Sequence, residues 1–301
     1  MIRSFAYGIA LLAACVIPSA FAQTAANAPT QNVNVGGDQI GYRSIGEGTP
    51  IVLVTRMRGT LDTWDPLFLD SLAKAHRVIT VDYPGVGYSK GRLPSTHAEA
   101  AVFVDAFTRA IGLDRYALLG WSWGGQVAQV TVIDKPGRIT HAIFLGTNPV
   151  GPNSIPIQQA FLERAFKPVN DLEDEEVLFF DPASTASRAA AKASRDRIRV
   201  RSDIDAKIPS TKAEIDAYLA AAMQSGKDTA RRDALTQTRV PILVLSGDND
   251  ISTAAANWFP LSNKLDTAQM LVLPDAGHGP QHQYPELSAQ YIVDFLALTP
   301  D

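Results

Sequence analysis

Cysteine is almost missing from this chain: Cys15 is the only one among 301 residues. That excludes an internal disulfide and any metal site built on thiolates. An excess of basic residues is missing too, with 27 Lys and Arg against 31 Asp and Glu and a net charge of -4. Such a balance gives no reason to expect nucleic acid, and no Lys/Arg run forms a phosphate-binding face. No cluster with metal-ligand spacing is visible. Nor is there an apolar run of the ~20 residues a membrane span requires.

The longest apolar stretch lies at the start. Arg3 supplies a positive charge, residues 4–17 are almost entirely apolar, and Ala20-Phe21-Ala22 precedes Gln23 as a small-x-small cleavage pattern. Residues 1–22 therefore read as a signal peptide, and export to a bacterial periplasm or medium is expected. The mature chain would then have no thiol to act as nucleophile. Leu12-Ala13-Ala14-Cys15 offers an alternative, since it resembles a lipobox that would leave a lipid anchor on Cys15.

Hydrophobic residues make up 46% of the chain, enough for an ample core. Strand and helix patterns alternate after a flexible lead-in at 23–31. Extended runs at 32–35 and 39–45 suggest a hairpin turned at Gly36-Gly37. Strands are expected at 51–55, 77–81, 116–119, 141–145, 241–245 and 269–273. Helices are expected at 61–75, from Thr96, at 123–134, 254–265 and 285–298. Continuous apolar strands between amphipathic helices imply an α/β fold with a mainly parallel sheet covered on both faces. The alternation stops between Gly146 and Thr238, where no strand is convincing and helix patterns dominate. The expected organisation is a core at 23–148 and 239–301, interrupted by a helical cap at 149–238. The acidic run at 171–176 reads as a solvated helix face.

Gly120-Trp121-Ser122-Trp123-Gly124-Gly125 follows the strand at 116–119 and opens a helix. Ser between flanking glycines at this junction is the nucleophile-elbow pattern: the turn is tight, and side chains at the glycine positions would collide with strand or helix. Ser122 Oγ would stand at a helix N-terminus, where negative charge is favoured. A hydroxyl needs a base, usually His, oriented by a carboxylate. In an open parallel sheet such groups follow the carboxyl ends of strands. The candidates are Asp248 and Asp250 after one strand and His278 after the next. His76, His97 and His141 read as structural, and His282 as at most a pocket residue.

The segments Gly46-Glu47-Gly48-Thr49-Pro50, Asp82-Tyr83-Pro84-Gly85-Val86-Gly87-Tyr88-Ser89, Gly-Trp-Ser-Trp-Gly-Gly and Ala276-Gly277-His278-Gly279 occur in the order seen in the α/β-hydrolase superfamily. The chain resembles that family over its whole length after the leader. The resemblance implies a catalytic set of Ser122, Asp250 and His278, with the acid in the Gly-x-x-Asp turn, so that Asp248 caps the turn instead. It also implies an oxyanion hole from the backbone N–H groups of Met57 and Trp123. Thr55-Arg56 stands where the family usually has His-Gly. Arg56 and Trp121 are candidate substrate contacts. For Arg56 and Arg58 two readings stand: a guanidinium in the pocket, favouring a carboxylate-bearing substrate, or pairing with Asp62 or Asp65.

The implied activity is a carboxylesterase-like serine hydrolase acting on a small molecule, with no cofactor. The same residues also suit a lactonase, amidase, C–C hydrolase or cofactor-free haloperoxidase, and a non-catalytic binding protein on this fold is the remaining alternative. Dehalogenases and epoxide hydrolases carry Asp at the position of Ser122.

Overall fold

Runs rich in Val, Ile and Leu form the strands, as burial on both faces of a sheet requires. The computed structural model describes residues 23–201 and 204–298. The expected leader at 1–22, with Cys15, lies outside the described residues.

One sheet is built from β1 (Gln31–Val35), β2 (Asp38–Ile45), β3 (Pro50–Val54), β4 (Arg77–Val81), β5 (Tyr116–Trp121), β6 (Ile139–Leu145), β7 (Ile242–Gly247) and β8 (Ala268–Leu273). Its order is β1-β2-β4-β3-β5-β6-β7-β8. The β1–β2 hairpin and the β2–β4 pairing are antiparallel; β4, β3, β5, β6, β7 and β8 run parallel. Alternate residues of β3 feed opposite faces: Val52 and Val54 join one apolar cluster, Ile51 and Leu53 the other. The first cluster is covered by α2 (His97–Ala110) and α3 (Trp123–Asp134). The second lies under α1 (Pro66–Ala73) and α10 (Pro285–Leu296).

Two expected helices are shorter than their patterns. The run at 61–75 opens with a 3-10 turn at Leu61–Thr63 and restarts as α1. Asp65 caps the new start by accepting from the Leu67 amide at 2.9 Å, with Pro66 at the first helical position. The run at 254–265 is two 3-10 turns, Ala255–Asn257 and Phe259–Leu261. Pro260 lacks the N–H a continuing helix needs.

Between β6 and β7 the chain forms α4 (Gln159–Ala165), α5 (Leu172–Phe179), α6 (Thr185–Ile198), α7 (Lys212–Ser225) and α8 (Thr229–Leu235). The acidic run starts α5, where Asp171 accepts from the Asp174 amide at 2.9 Å and the helix dipole favours carboxylates. It is not simply a solvated face: Asp174 is buried against Lys167, and Glu175 pairs with Arg195. A short α9 (Pro280–Gln283) follows the His278 loop.

Candidate active site

The sharpest backbone feature lies between β5 and α3. Ser122 has φ 57° and ψ −116°, a conformation L-residues rarely hold. Its neighbours enforce it. A Cβ at Gly120 would meet the Gly124 carbonyl, and one at Gly124 would meet the carbonyls of Val54 and Thr55. The Ser122 amide donates to the Leu145 carbonyl at 2.9 Å, and Thr147 Oγ1 donates to the Ser122 carbonyl at 2.8 Å. Ser122 Oγ is thereby held beyond the sheet edge.

His278 Nε2 lies 2.7 Å from Ser122 Oγ, and its Nδ1 lies 2.9 Å from Asp250 Oδ2 and 3.2 Å from Oδ1. Asp250 Oδ1 accepts from the Ser252 and Thr253 amides at 2.8 Å, and Oδ2 accepts from Thr253 Oγ1 at 2.7 Å. Burial alone would raise this carboxyl; the charge and hydrogen bond of His278 and the Thr253 hydrogen bonds outweigh it and hold the carboxyl below its usual range. Asp250 thus remains an acceptor beside the imidazole. Asp248 instead acts on the backbone, where its Oδ1 accepts from the Ala276 amide at 3.2 Å and joins the turn after β7 to the His278 loop.

Ser122, Thr253 and His278 border a cavity of about 210 Å³ that also reaches Met57, Trp123, Phe161 and Leu162 of α4, Leu178 of α5 and Tyr218 of α7. The Trp123 amide is the first of α3 and so lacks an intrahelical acceptor. The Met57 amide likewise has no acceptor among the described residues. The loop bearing Met57 is fixed from below. Buried Asp82 accepts from the Leu61 amide through Oδ1 and from the Tyr88 amide through Oδ2, both at 2.8 Å. This explains the Asp82 to Tyr88 motif as a brace for that loop.

The family model for the alpha/beta hydrolase fold matches residues 49–285. The chain belongs to that family. Among solved structures, this hydrolase is similar to an alpha/beta hydrolase fold protein from Chitinophaga pinensis, at 30% identity and a TM-score of 0.80, over 91% of this chain and 99% of that one. Among curated proteins it is similar to the pimeloyl-[acyl-carrier protein] methyl ester esterase of Nitrosomonas europaea, at 27% identity over 271 residues, 86% of this chain and 99% of that protein. It also resembles haloalkane dehalogenase 2 of Mycobacterium tuberculosis, at 26% identity over 277 residues, 85% of this chain and 91% of that one.

Arg56 lines the cavity, as one of its two readings has it, whereas the pairing expected for Arg58 and the place of Trp121 differ. Arg58 pairs with neither Asp62 nor Asp65. It has φ 61° and is buried, and its guanidinium donates to the carbonyls of Ala165, Lys167, Pro168 and Pro209 at 2.7–2.8 Å. Arg43 and Arg201 hold Asp62, while Arg197 forks onto Asp65 at 2.6 and 2.8 Å. Arg58 therefore ties the Met57 loop to the helical segment between β6 and β7. Arg56 packs beside the edge-to-face pair of Trp121 and Phe179, its Cζ 5.2 and 4.7 Å from their centroids.

Trp121 does not line the cavity. It is fully buried behind the His278 loop and donates from Nε1 to the His278 carbonyl at 2.7 Å. Its role is support, not contact. His282 packs against it at a tilt, ring centroids 4.7 Å apart, and lines a separate cavity; burial, the largest influence, lowers its pKa to about 4. His97, expected as structural, packs 4.7 Å from Trp123 and is driven by burial to about 3.

Thr253 and Tyr218 escaped the sequence reading. Thr253 lies three residues past Asp250, whose carboxylate accepts from the Ser252 and Thr253 amides in an Asx-type turn. Tyr218 sits on α7, and nothing local marks its approach to the cavity.

Proposed function

We propose that this hydrolase cleaves carboxylic esters of a small molecule through an acyl-enzyme on Ser122. The observation that carries the reading is the continuous chain from Ser122 Oγ through His278 to Asp250, at 2.7 and 2.9 Å, opening into a cavity. His278 Nε2 takes the hydroxyl proton as Oγ attacks the ester carbonyl. Asp250 fixes the ring with Nδ1 protonated and stabilises the imidazolium. The Met57 and Trp123 amides receive the developing oxyanion. His278 then returns the proton to the departing alkoxide, which leaves as an alcohol. A water attacks the acyl carbonyl in a second cycle and releases the acid.

Ser122 as nucleophile favours ester chemistry over dehalogenation, and the methyl ester esterase among the relatives points the same way. The cap over the cavity sets substrate shape. The test is turnover of p-nitrophenyl esters of increasing acyl length by the full chain and by Ser122→Ala. Activity confined to the unmutated protein supports the reading. Silence on all esters, with retained folding, moves the weight to lactone, amide or C–C substrates.

Export belongs to the same proposal. It is supported by Arg3, the apolar run at 4–17 and Ala20-Phe21-Ala22. A mature N-terminus at Gln23 would support it, and a lipidated Cys15 would replace it with a membrane-anchored form.

A further inference from the structure

The charged lining of the catalytic cavity has one sign. Arg56 and Arg58 border it, and no Asp, Glu or Lys does among the described residues. Arg58 is saturated by four cap carbonyls. Arg56 is not. Its Nη1 donates to the Met57 carbonyl at 2.9 Å, and its Nε is buried without an acceptor. Among the described residues no carboxylate lies within 4.0 Å of it. Glu175, which attracts it, is already paired with Arg195.

Burial, followed by the repulsion of Arg58, lowers the Arg56 pKa to about 10, so it stays charged at neutral pH. A half-buried cation lacking an anion is costly. The rings of Trp121 and Phe179 lie beside it and offset part of that cost, while its Nη2 makes no hydrogen bond among the described residues. That Nη2, part of a planar, permanently charged guanidinium in the cavity wall, suits a carboxylate above other partners.

We propose that Arg56 receives an anionic group of the substrate, so that the preferred esters carry a carboxylate elsewhere in the molecule. Half-esters of dicarboxylic acids are the simplest members of this class. The apolar walls formed by Phe161, Leu162, Leu178 and Leu219 take the methylenes between ester and carboxylate. The inference rests on the esterase reading of the same cavity.

The test compares p-nitrophenyl hexanoate with mono-p-nitrophenyl adipate on the full-length protein. The expected kcat/KM favours the charged ester by about tenfold or more, in line with a hydrogen bond to a charged group. Arg56→Met brings that ratio to one or below, and Arg56→Lys retains part of it. An unchanged ratio in Arg56→Met overturns the proposal. So does an equal loss on both esters, which would make Arg56 a stabiliser of the oxyanion. If Arg56→Met fails to fold by circular dichroism, the ratio in Arg56→Lys and Arg56→Gln decides.

Calorimetric titration with adipate separates this inference from the esterase reading. Adipate binding lost in Arg56→Met, with no ester turned over, sustains the anion site and rejects ester hydrolysis. Turnover of the neutral ester, with adipate neither binding nor inhibiting, rejects the anion site alone.

Discussion

The indole N–H of Trp121 donates to the carbonyl oxygen of His278 at 2.7 Å. The last residue of β5 thus reaches across the sheet edge and holds the loop of the proposed base, one residue before the proposed nucleophile. A Cβ at Gly146, the residue after β6, would meet that same carbonyl at 2.5 Å, so the end of β6 crowds it as well. The relative placement of Ser122 and His278 is therefore set by strand ends, not by a free loop.

Replacing Trp121 with Phe keeps a ring but leaves the His278 carbonyl unpaired. An unsatisfied buried group costs about 1–3 kcal/mol. The expected outcome is a stability loss of that order with kcat reduced about tenfold and KM nearly unchanged. Thermal melts and steady-state kinetics check it. An unaltered kcat would show that the bond does not position His278.

Arg58 joins the Met57 loop to carbonyls of Ala165, Lys167, Pro168 and Pro209. Arg58→Met strands those acceptors, and a loss of about 3 kcal/mol or more is expected. Arg58→Lys should recover little, because an ammonium cannot span the positions a guanidinium fork reaches. Limited proteolysis should cut the cap faster in both variants, with kcat falling as the Met57 amide loosens.

Asp82 gives a pH dependence of stability. Burial, opposed by the amides of Tyr88 and Leu61, raises its carboxyl from 3.8 to about 7. From about pH 4 to pH 7 the folded state binds the proton that the unfolded chain has released. Stability therefore falls as pH rises through this window, by up to about 1.4 kcal/mol per unit, and the contribution levels off above it. Urea unfolding of Asp82→Asn across the window should lose this slope. The same slope in both proteins would assign it to another group.

Asp250 is held ionised among the Ser252 and Thr253 amides and the Thr253 hydroxyl. Asp250→Asn keeps the shape but favours the wrong imidazole tautomer. A loss of roughly 10³- to 10⁴-fold in kcat is expected. Asp248→Asn, which touches only the turn at the Ala276 amide, should lose far less. Equal losses would deny Asp250 its special place.

Ser122 and His278 stood out because their constraints are local, while the choice of Asp250 over Asp248 came from the family resemblance. Gly120 and Gly124 are demanded by backbone atoms within a few residues or on the adjoining strand end, and Gly247-Asp248-Asn249-Asp250 follows a strand as plainly as its residues read. The breaks at Pro66 and Pro260 were also in reach, since each proline ends or restarts a helix. The arginines were not. Arg58 meets carbonyls 107 to 151 residues away, and Arg197 crosses 132 residues to Asp65, so no spacing rule ties them together. Trp121 illustrates the same limit: its position beside Ser122 suggested contact with substrate, but in a strand successive side chains point to opposite faces. It faces the second apolar cluster, behind His278.

Acylation of Ser122 is tested most directly by mass spectrometry of the full-length protein treated with a fluorophosphonate. The expected result is one adduct per chain, mapped to the peptide containing Ser122, with hydrolysis of p-nitrophenyl esters lost in step with labelling and no adduct in Ser122→Ala. An adduct on another residue, or ester hydrolysis that persists in fully labelled protein, would contradict the acyl-enzyme.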